Sequence, residues 1–343
     1  MNNFQKYLAE EFVEDYAEGR LTRREALKLI VSVTGNLLLA QTWLAACTPP
    51  PAQLASTAAP TATASPDTAE PATTATVQPS LQPAATDSSI PATATSSTVP
   101  VSGTVSPDDA AVVAGPVEFP GEGATLLGYL ARPNLEGAFP VVLVCHENRG
   151  LTDHIRDVAR RFAKAGYVAL AVDLLSRQGG TDVVGSAQVP GALGNTSPDQ
   201  FVQDFVSGWK YLQTQPFADS RRAGEADRVG MTGFCFGGGV TWRVATQMPE
   251  LKAAVPFYGP HPDLADVPNI TAPMLAIYGE LDSRINQGIP AIEAAMLQNN
   301  KVYEKVIYPN ADHAFHNDTG SRYNAQAAQD AWARTLAWFA KYL

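Results

Sequence analysis

From about residue 112 onward, hydrophobic positions follow two alternating periods. Residues 125–133 ("TLLGYLARP") alternate with period two, as a strand does. Residues 139–147 ("FPVVLVCHE") form a continuous apolar run of strand length, as expected for a strand covered on both faces. Behind Thr152, a candidate cap, Ile155, Val158, Ala159, Phe162 and Ala163 recur at helical spacing, with Gly166 as a stop. Strand 167–173 follows, then a glycine-rich excursion over 177–198. Next comes a helix carrying Phe201, Phe205, Val206, Trp209 and Leu212 on one face. Strands over 228–233, 253–259, 273–282 and 302–309 then alternate with helices after Gly237, over 289–297 and over 322–342. Such alternation predicts an α/β fold with a mostly parallel central sheet and helices on both faces. Sites in such sheets gather at the carboxyl ends of the strands.

The first third of the chain has a different pattern. "TRREALK" (22–28) carries paired arginines, and the apolar segment 29–46 follows, diluted by Gly35, Asn36 and Gln41. It ends in "LAAC" (44–47). Paired arginines, a weakly apolar run and a small-residue cleavage site resemble a twin-arginine export signal ending in a lipoprotein cleavage box. Residues 1–47 are therefore expected to be an export signal. The resemblance implies that Cys47 becomes the first mature residue and carries lipid, tethering an extracytoplasmic protein to a membrane. The alternative is an uncleaved signal anchor with Cys47 free. The acidic stretch before the arginines ("AEEFVEDYAEG") is long for the leading region of such a signal. Residues 48–111 are rich in Thr, Ala, Pro and Ser and poor in large apolar residues. They are expected to form a disordered linker, because they bury too little to offset ordering entropy. Residues 112–343 then form one folded domain.

Composition narrows the function. The net charge is −10 at pH 7, with no Lys/Arg-rich run in the folded part, which argues against nucleic acid as a partner. Three cysteines are too few for a disulfide framework. With Cys47 in the signal, Cys145 reads as a buried strand position and Cys235 stands among glycines. The histidines lack zinc-ligand spacing, so neither metal nor organic cofactor is expected.

Four strand ends carry reactive side chains: Glu147, Cys235, Asp282 and His313. "GFCFGG" (233–238) is a glycine–x–nucleophile–x–glycine turn between a strand and a helix. That turn lifts the nucleophile above the sheet in a strained conformation, and the flanking glycines avoid collisions. The helix that follows aims its N-terminus at the site, favouring a thiolate and the oxyanion formed on attack. The chain order nucleophile, acid, histidine is that of an α/β-hydrolase.

Five segments together, "CHENRGL" (145–151), "DLLSR" (173–177), "GFCFGG", "GELDSRI" (279–285) and "DHAFHN" (312–317), resemble the dienelactone hydrolase family of the α/β-hydrolase fold. The resemblance covers about 113–343. It implies Cys235 as nucleophile, His313 as general base and Asp282 as the acid that orients it; Asp312 and Asp173 are rival acids. Glu147 would contact the resting thiol. The backbone N–H groups of Phe236 and Asn148 would form the oxyanion hole, and Arg177 would bind a substrate carboxylate. The chemistry implied is hydrolysis of a small-molecule ester or lactone through an acyl-enzyme, by a monomer that touches a membrane only through its N-terminus. Where founding members of the family place a serine and an arginine after the histidine, this chain has Ala314 and His316, so half of the carboxylate clamp is absent or replaced. Two other readings stay open: a non-catalytic ligand-binding lipoprotein on the same fold, and a thioesterase or peptidase.

Overall fold

The structure, a computed structural model, describes residues 1–46, 103–219 and 228–343. Cys47 and most of the expected linker lie outside the described residues. Eight strands form one sheet: β1 (Val112–Gly121), β2 (Ala124–Pro133), β3 (Val141–Cys145), β4 (Val168–Asp173), β5 (Val229–Phe234), β6 (Ala253–Phe257), β7 (Met274–Gly279) and β8 (Tyr303–Tyr308), in the order β1-β2-β4-β3-β5-β6-β7-β8. β2 pairs antiparallel with both β1 and β4, and every later pairing is parallel. The mostly parallel α/β sheet expected from the pattern is present. β3, β4, β5, β6 and β7 are buried along their whole length, as continuous apolar runs require.

β1 is an element that hydrophobic pattern does not announce. Pro116 and Pro120 interrupt it, which a central strand would not tolerate. At the sheet edge only one side of the strand needs donors, and β1 pairs along its full length with β2. Upstream of it, Val105 is buried; its backbone N–H donates to Asp157 at 2.7 Å and its carbonyl accepts from Arg160 at 2.6 Å. The ordered fold thus reaches above residue 112 into the expected linker.

The helices in chain order are α1 (Asn3–Ala17), α2 (Arg23–Thr34), α3 (Leu37–Ala45), α4 (Asp153–Lys164), α5 (Thr181–Val184), α6 (Val189–Gly194), α7 (Pro198–Leu212), α8 (Phe236–Ala245), α9 (Ser283–Asn286), α10 (Ile289–Gln298) and α11 (Ala325–Tyr342). Thr152 precedes α4 as expected, but its side chain makes no capping bond. The glycine-rich excursion holds the two short helices α5 and α6.

Residues 1–46, expected to be a leader, fold as three helices in the same compact unit as the eight-stranded sheet. α1 and α2 each open with a reciprocal capping box, Asn2 with Gln5 and Thr22 with Glu25. On α1, Phe4, Tyr7, Leu8, Glu11, Phe12 and Tyr16 are buried; three- and four-residue steps put them on one face. Among the described residues no helix is long and apolar enough to cross a membrane.

Candidate active site

The turn at Cys235 is built as its sequence predicts. Cys235 has φ 58° and ψ −120°, a conformation that costs an L-residue on the order of 1–3 kcal/mol and persists only when its surroundings hold it. Its backbone N–H donates to the Phe257 carbonyl at 3.1 Å, and its carbonyl accepts from Gly238 at 2.9 Å. The two flanking glycines are steric requirements. A Cβ at Gly233 would collide with the Gly237 carbonyl, and one at Gly237 would lie 2.5 Å and 2.6 Å from the carbonyl oxygens of His146 and Cys145. α8 begins at Phe236, so the first N–H groups of a buried helix, which have no intrahelical acceptor, lie directly beside the sulfur. Phe236 is therefore in place to offer its N–H. Asn148, in the loop after β3, is buried and lines the same cavity as Cys235.

Asp282 follows β7 and caps α9, accepting from the Ile285 N–H at 3.2 Å. Its other oxygen lies 2.6 Å from His313 Nδ1, and both side chains are almost wholly buried. Of the rival acids, Asp312 accepts from the His313 backbone N–H, and Asp173 accepts from Leu175 and Thr181. Asp282 alone of the three holds the imidazole. Burial opposes a charge on His313, but the Asp282 carboxylate outweighs it and raises the imidazole well above its ordinary range. Burial likewise works against the Asp282 carboxylate, yet His313 keeps its pKa low. His313 Nε2 has no hydrogen-bond partner, and a ring nitrogen of His313 lies within 4.8 Å of Cys235 Sγ. A free, buried nitrogen at that separation is what a resting base–nucleophile pair presents before substrate draws it together.

The sulfur contacts groups the sequence did not point to. Tyr7 Oη is 3.3 Å from Cys235 Sγ, and the thiol donates to the Glu11 carboxyl at 3.6 Å and 3.7 Å. Glu11 also approaches His313 Nε2 to 3.9 Å. Burial, then the Glu11 carboxyl, push the Cys235 thiol up; His313 pulls against them without reversing the result. Glu147, expected at the thiol, instead accepts from Asn317 Nδ2 at 2.8 Å. Glu147 stays close enough to act on the thiol by charge, but α1 fills the space above the sulfur.

Arg177 is not brought to this cluster. Its guanidinium donates to Asp204 at 2.6 Å and to the Glu122 carbonyl at 2.8 Å, and it does not line the cavity at Cys235. The cavity, about 570 Å³, instead has Arg149 and Arg322 in its wall. His316, at the substituted clamp position, is core: its ring lies against Phe234, Phe257 and Trp332, and burial pushes its pKa well below the ordinary histidine range. Cys145 is buried in β3, and both it and Cys235 are free thiols. Tyr258 is a residue the sequence did not single out. It follows β6 at φ 36°, its ring lies 5.0 Å from His313, and its buried hydroxyl is unpartnered. The signal in the sequence was only an aromatic residue before a glycine at a strand end.

Glu11, Cys235 and His313 are the one set of three donor side chains among the described residues gathered closely enough to hold a metal ion. Two of the three, Cys235 and His313, are residues that the sequence resemblance names.

Comparison with known proteins gives the family. Residues 126–343 match the model of the Dienelactone hydrolase family. A protein of Escherichia coli (strain K12) provisionally described as a carboxymethylenebutenolidase is 37% identical over 255 residues, spanning 69% of this chain and 90% of the relative. A protein of Methylorubrum extorquens with the same description is 36% identical over 261 residues, spanning 70% and 84%. Among solved structures, one from Klebsiella pneumoniae provisionally described as a dienelactone hydrolase superposes with a TM-score of 0.62 at 33% identity, covering 68% of this chain and 100% of that one. With this match added to the strand order and the turn at Cys235, the chain belongs to the dienelactone hydrolase family and is a carboxylic ester hydrolase of that type.

Proposed function

We propose that this protein hydrolyses an ester or lactone through Cys235, His313 and Asp282. The observation that carries the reading is the line from Asp282 through His313 toward a cysteine held at positive φ at a helix N-terminus. His313 takes the thiol proton as Sγ attacks the carbonyl carbon. The resulting oxyanion is received by the N–H groups of Phe236 and Asn148, each such donor lowering the barrier by about 3 kcal/mol. Collapse expels the alcohol, which takes the proton from His313 and leaves an acyl-enzyme. Water, deprotonated by His313, then releases the acid and restores the thiol. Asp282 fixes the imidazole tautomer and favours its cationic form throughout. A non-catalytic binder has no use for all three groups in this order. The cavity wall holds Arg20, Arg149 and Arg322 beside Glu11, Asp15, Glu147 and Asp153, so it offers both signs of charge to a substrate and no contact from Arg177.

Turnover of a short-chain chromogenic ester tests the reading. Cys235→Ala abolishes it and Cys145→Ala leaves it intact, because Cys145 is buried in the sheet; activity surviving Cys235→Ala refutes the assignment.

Export and lipidation at Cys47 belong to the same proposal. The exposed Arg23 and Arg24 at the start of α2 support it, being open to a recognition partner. Fatty-acid labelling of cells expressing the native chain and Cys47→Ala decides it. Label that depends on Cys47 is expected, and label-free soluble protein refutes it.

A further inference from the structure

The family match begins at residue 126, yet the groups in contact with the nucleophile come from residues 7 and 11. α1 is seated by apolar and charged contacts that converge on the catalytic turns. Phe4 packs against Phe236, the residue after the nucleophile, at 4.9 Å between ring centres, and against Phe201 at 5.8 Å. Arg284, two residues after the catalytic acid, donates to Glu14 at 2.9 Å and lies 4.7 Å over the Tyr7 ring. Arg322 faces Asp15 at 3.9 Å. The receiving side is shaped for the segment: α2 lies so close to α6 that a Cβ at Gly191 would come within 2.9 Å of Ser32. Asn195 donates to the Ser32 carbonyl at 3.1 Å.

In this seat the cavity of about 570 Å³ that Cys235 lines is walled on one side by Glu11, Phe12 and Asp15 of α1, and Tyr7 and Glu11 lie against the sulfur itself. An acyl group bonded to Sγ needs the volume now filled by the Tyr7 hydroxyl and the Glu11 carboxyl, and Cys235 is only 3% exposed. Glu11 also stands beside the nitrogen that must take the thiol proton.

We infer that in the uncut chain α1 is a stopper of the active site, its Tyr7 and Glu11 blocking Cys235 until the helix lifts away or a cut before Cys47 removes it. The inference rests on Cys235 being the nucleophile. The docked helix opposes reaction in two ways. It fills the approach, and it favours the unreactive protonated sulfur through the Glu11 carboxyl. The other ionisable groups around that sulfur are Tyr7 on the same helix, Cys145, Glu147, Tyr258, His313 and Arg322. When α1 withdraws, Tyr7 leaves with Glu11, Arg322 loses Asp15 and His313 loses the approach of Glu11.

Alkylation of Cys235 by iodoacetamide, followed on its own peptide by mass spectrometry, tests the stopper without requiring turnover. Phe4→Asp with Glu14→Arg undocks α1 while leaving the hydrolase residues untouched. Tyr7→Ala with Glu11→Ala keeps the Phe4 and Phe12 anchors and empties the approach; it carries the test if the first variant does not fold. Both are expected to raise the alkylation rate about tenfold or more over the full native chain, the gain of one pKa unit in thiolate alone, and to raise ester turnover with it. Unchanged alkylation overturns the stopper. So does a rise in alkylation with a fall in turnover, which makes α1 a needed wall of the site. Faster alkylation with no hydrolysis in any form leaves the stopper standing and removes the hydrolytic role of Cys235.

Discussion

At the scale of single residues, the site rests on a few atoms whose protonation is set by neighbours. The Cys235 thiol is pushed above its ordinary value of 9.0, by burial first and by Glu11 second. The reactive form is the deprotonated one, so a raised pKa moves its appearance to higher pH. Iodoacetamide alkylation of Cys235 in the full chain should therefore still be climbing at pH 9. Glu11→Gln removes the second of the three causes that raise it, burial, Glu11 and Glu147, and should shift that rise to lower pH; a rise at the same pH in both forms contradicts the role given to Glu11. That Cys235, Asp282 and His313 gather was legible in the sequence, because each follows a strand and Cys235 sits between obligatory glycines. The sequence did not make the partners of Glu147 and Arg177 legible. Whether a carboxylate meets a thiol or an asparagine, and whether an arginine meets substrate or Asp204, depends on distances between loops that no local pattern encodes.

At the scale of elements, the strand–helix turn at Cys235 is the most constrained piece of the chain. Gly237 lies where any side chain strikes two carbonyls of the β3 end. Because backbone cannot rotate away as a side-chain tip can, Gly237→Ala should destabilise the fold by about 2–3 kcal/mol. Equilibrium urea unfolding measures this, and a loss below about 0.5 kcal/mol would show the turn to be looser than described. Two elements escaped the sequence reading for opposite reasons. β1 was hidden by prolines that only an edge position tolerates. α1 was hidden by its neighbour in the chain, since paired arginines before an apolar run are the pattern of a leader. Yet its residues at 4, 7, 8, 11, 12 and 16 already spelled an amphipathic helix, and the acidic stretch, long for the leading region of a signal, supplies Glu11, Glu14 and Asp15 to the docked face.

At the scale of the whole molecule, buried ionisable groups couple stability to pH. His316 is enclosed by aromatic rings and kept neutral, its pKa depressed first by burial and then by His154 and Arg161. The unfolded chain takes up that proton near pH 6.5 while the folded chain resists it, so this contribution is complete above about pH 6.5 and declines as pH falls below it. Asp282 is depressed too, burial working against the carboxylate and His313 outweighing it, so its contribution fades only as pH drops below the ordinary carboxylate range near 3.8. Stability to urea should thus decline in two stages on acidification, the first beginning near pH 6.5. His316→Phe, which keeps an aromatic ring in the same enclosure, should reduce the first stage, to which buried His146 also contributes, and spare the second; an unchanged first stage assigns it to His146 or another group.

The seat of α1 also bears on how the protein is handled. Phe201 and Phe236 are fully buried, and Phe4 is the ring laid over both. Shortening the gene to residue 126, where the family match begins, strips that cover and turns a dry seam into an open greasy trough beside the Cys235 sulfur. A protein trimmed in this way gains reactivity and stickiness together, so detergent or a substitute amphipathic peptide becomes part of keeping it in solution.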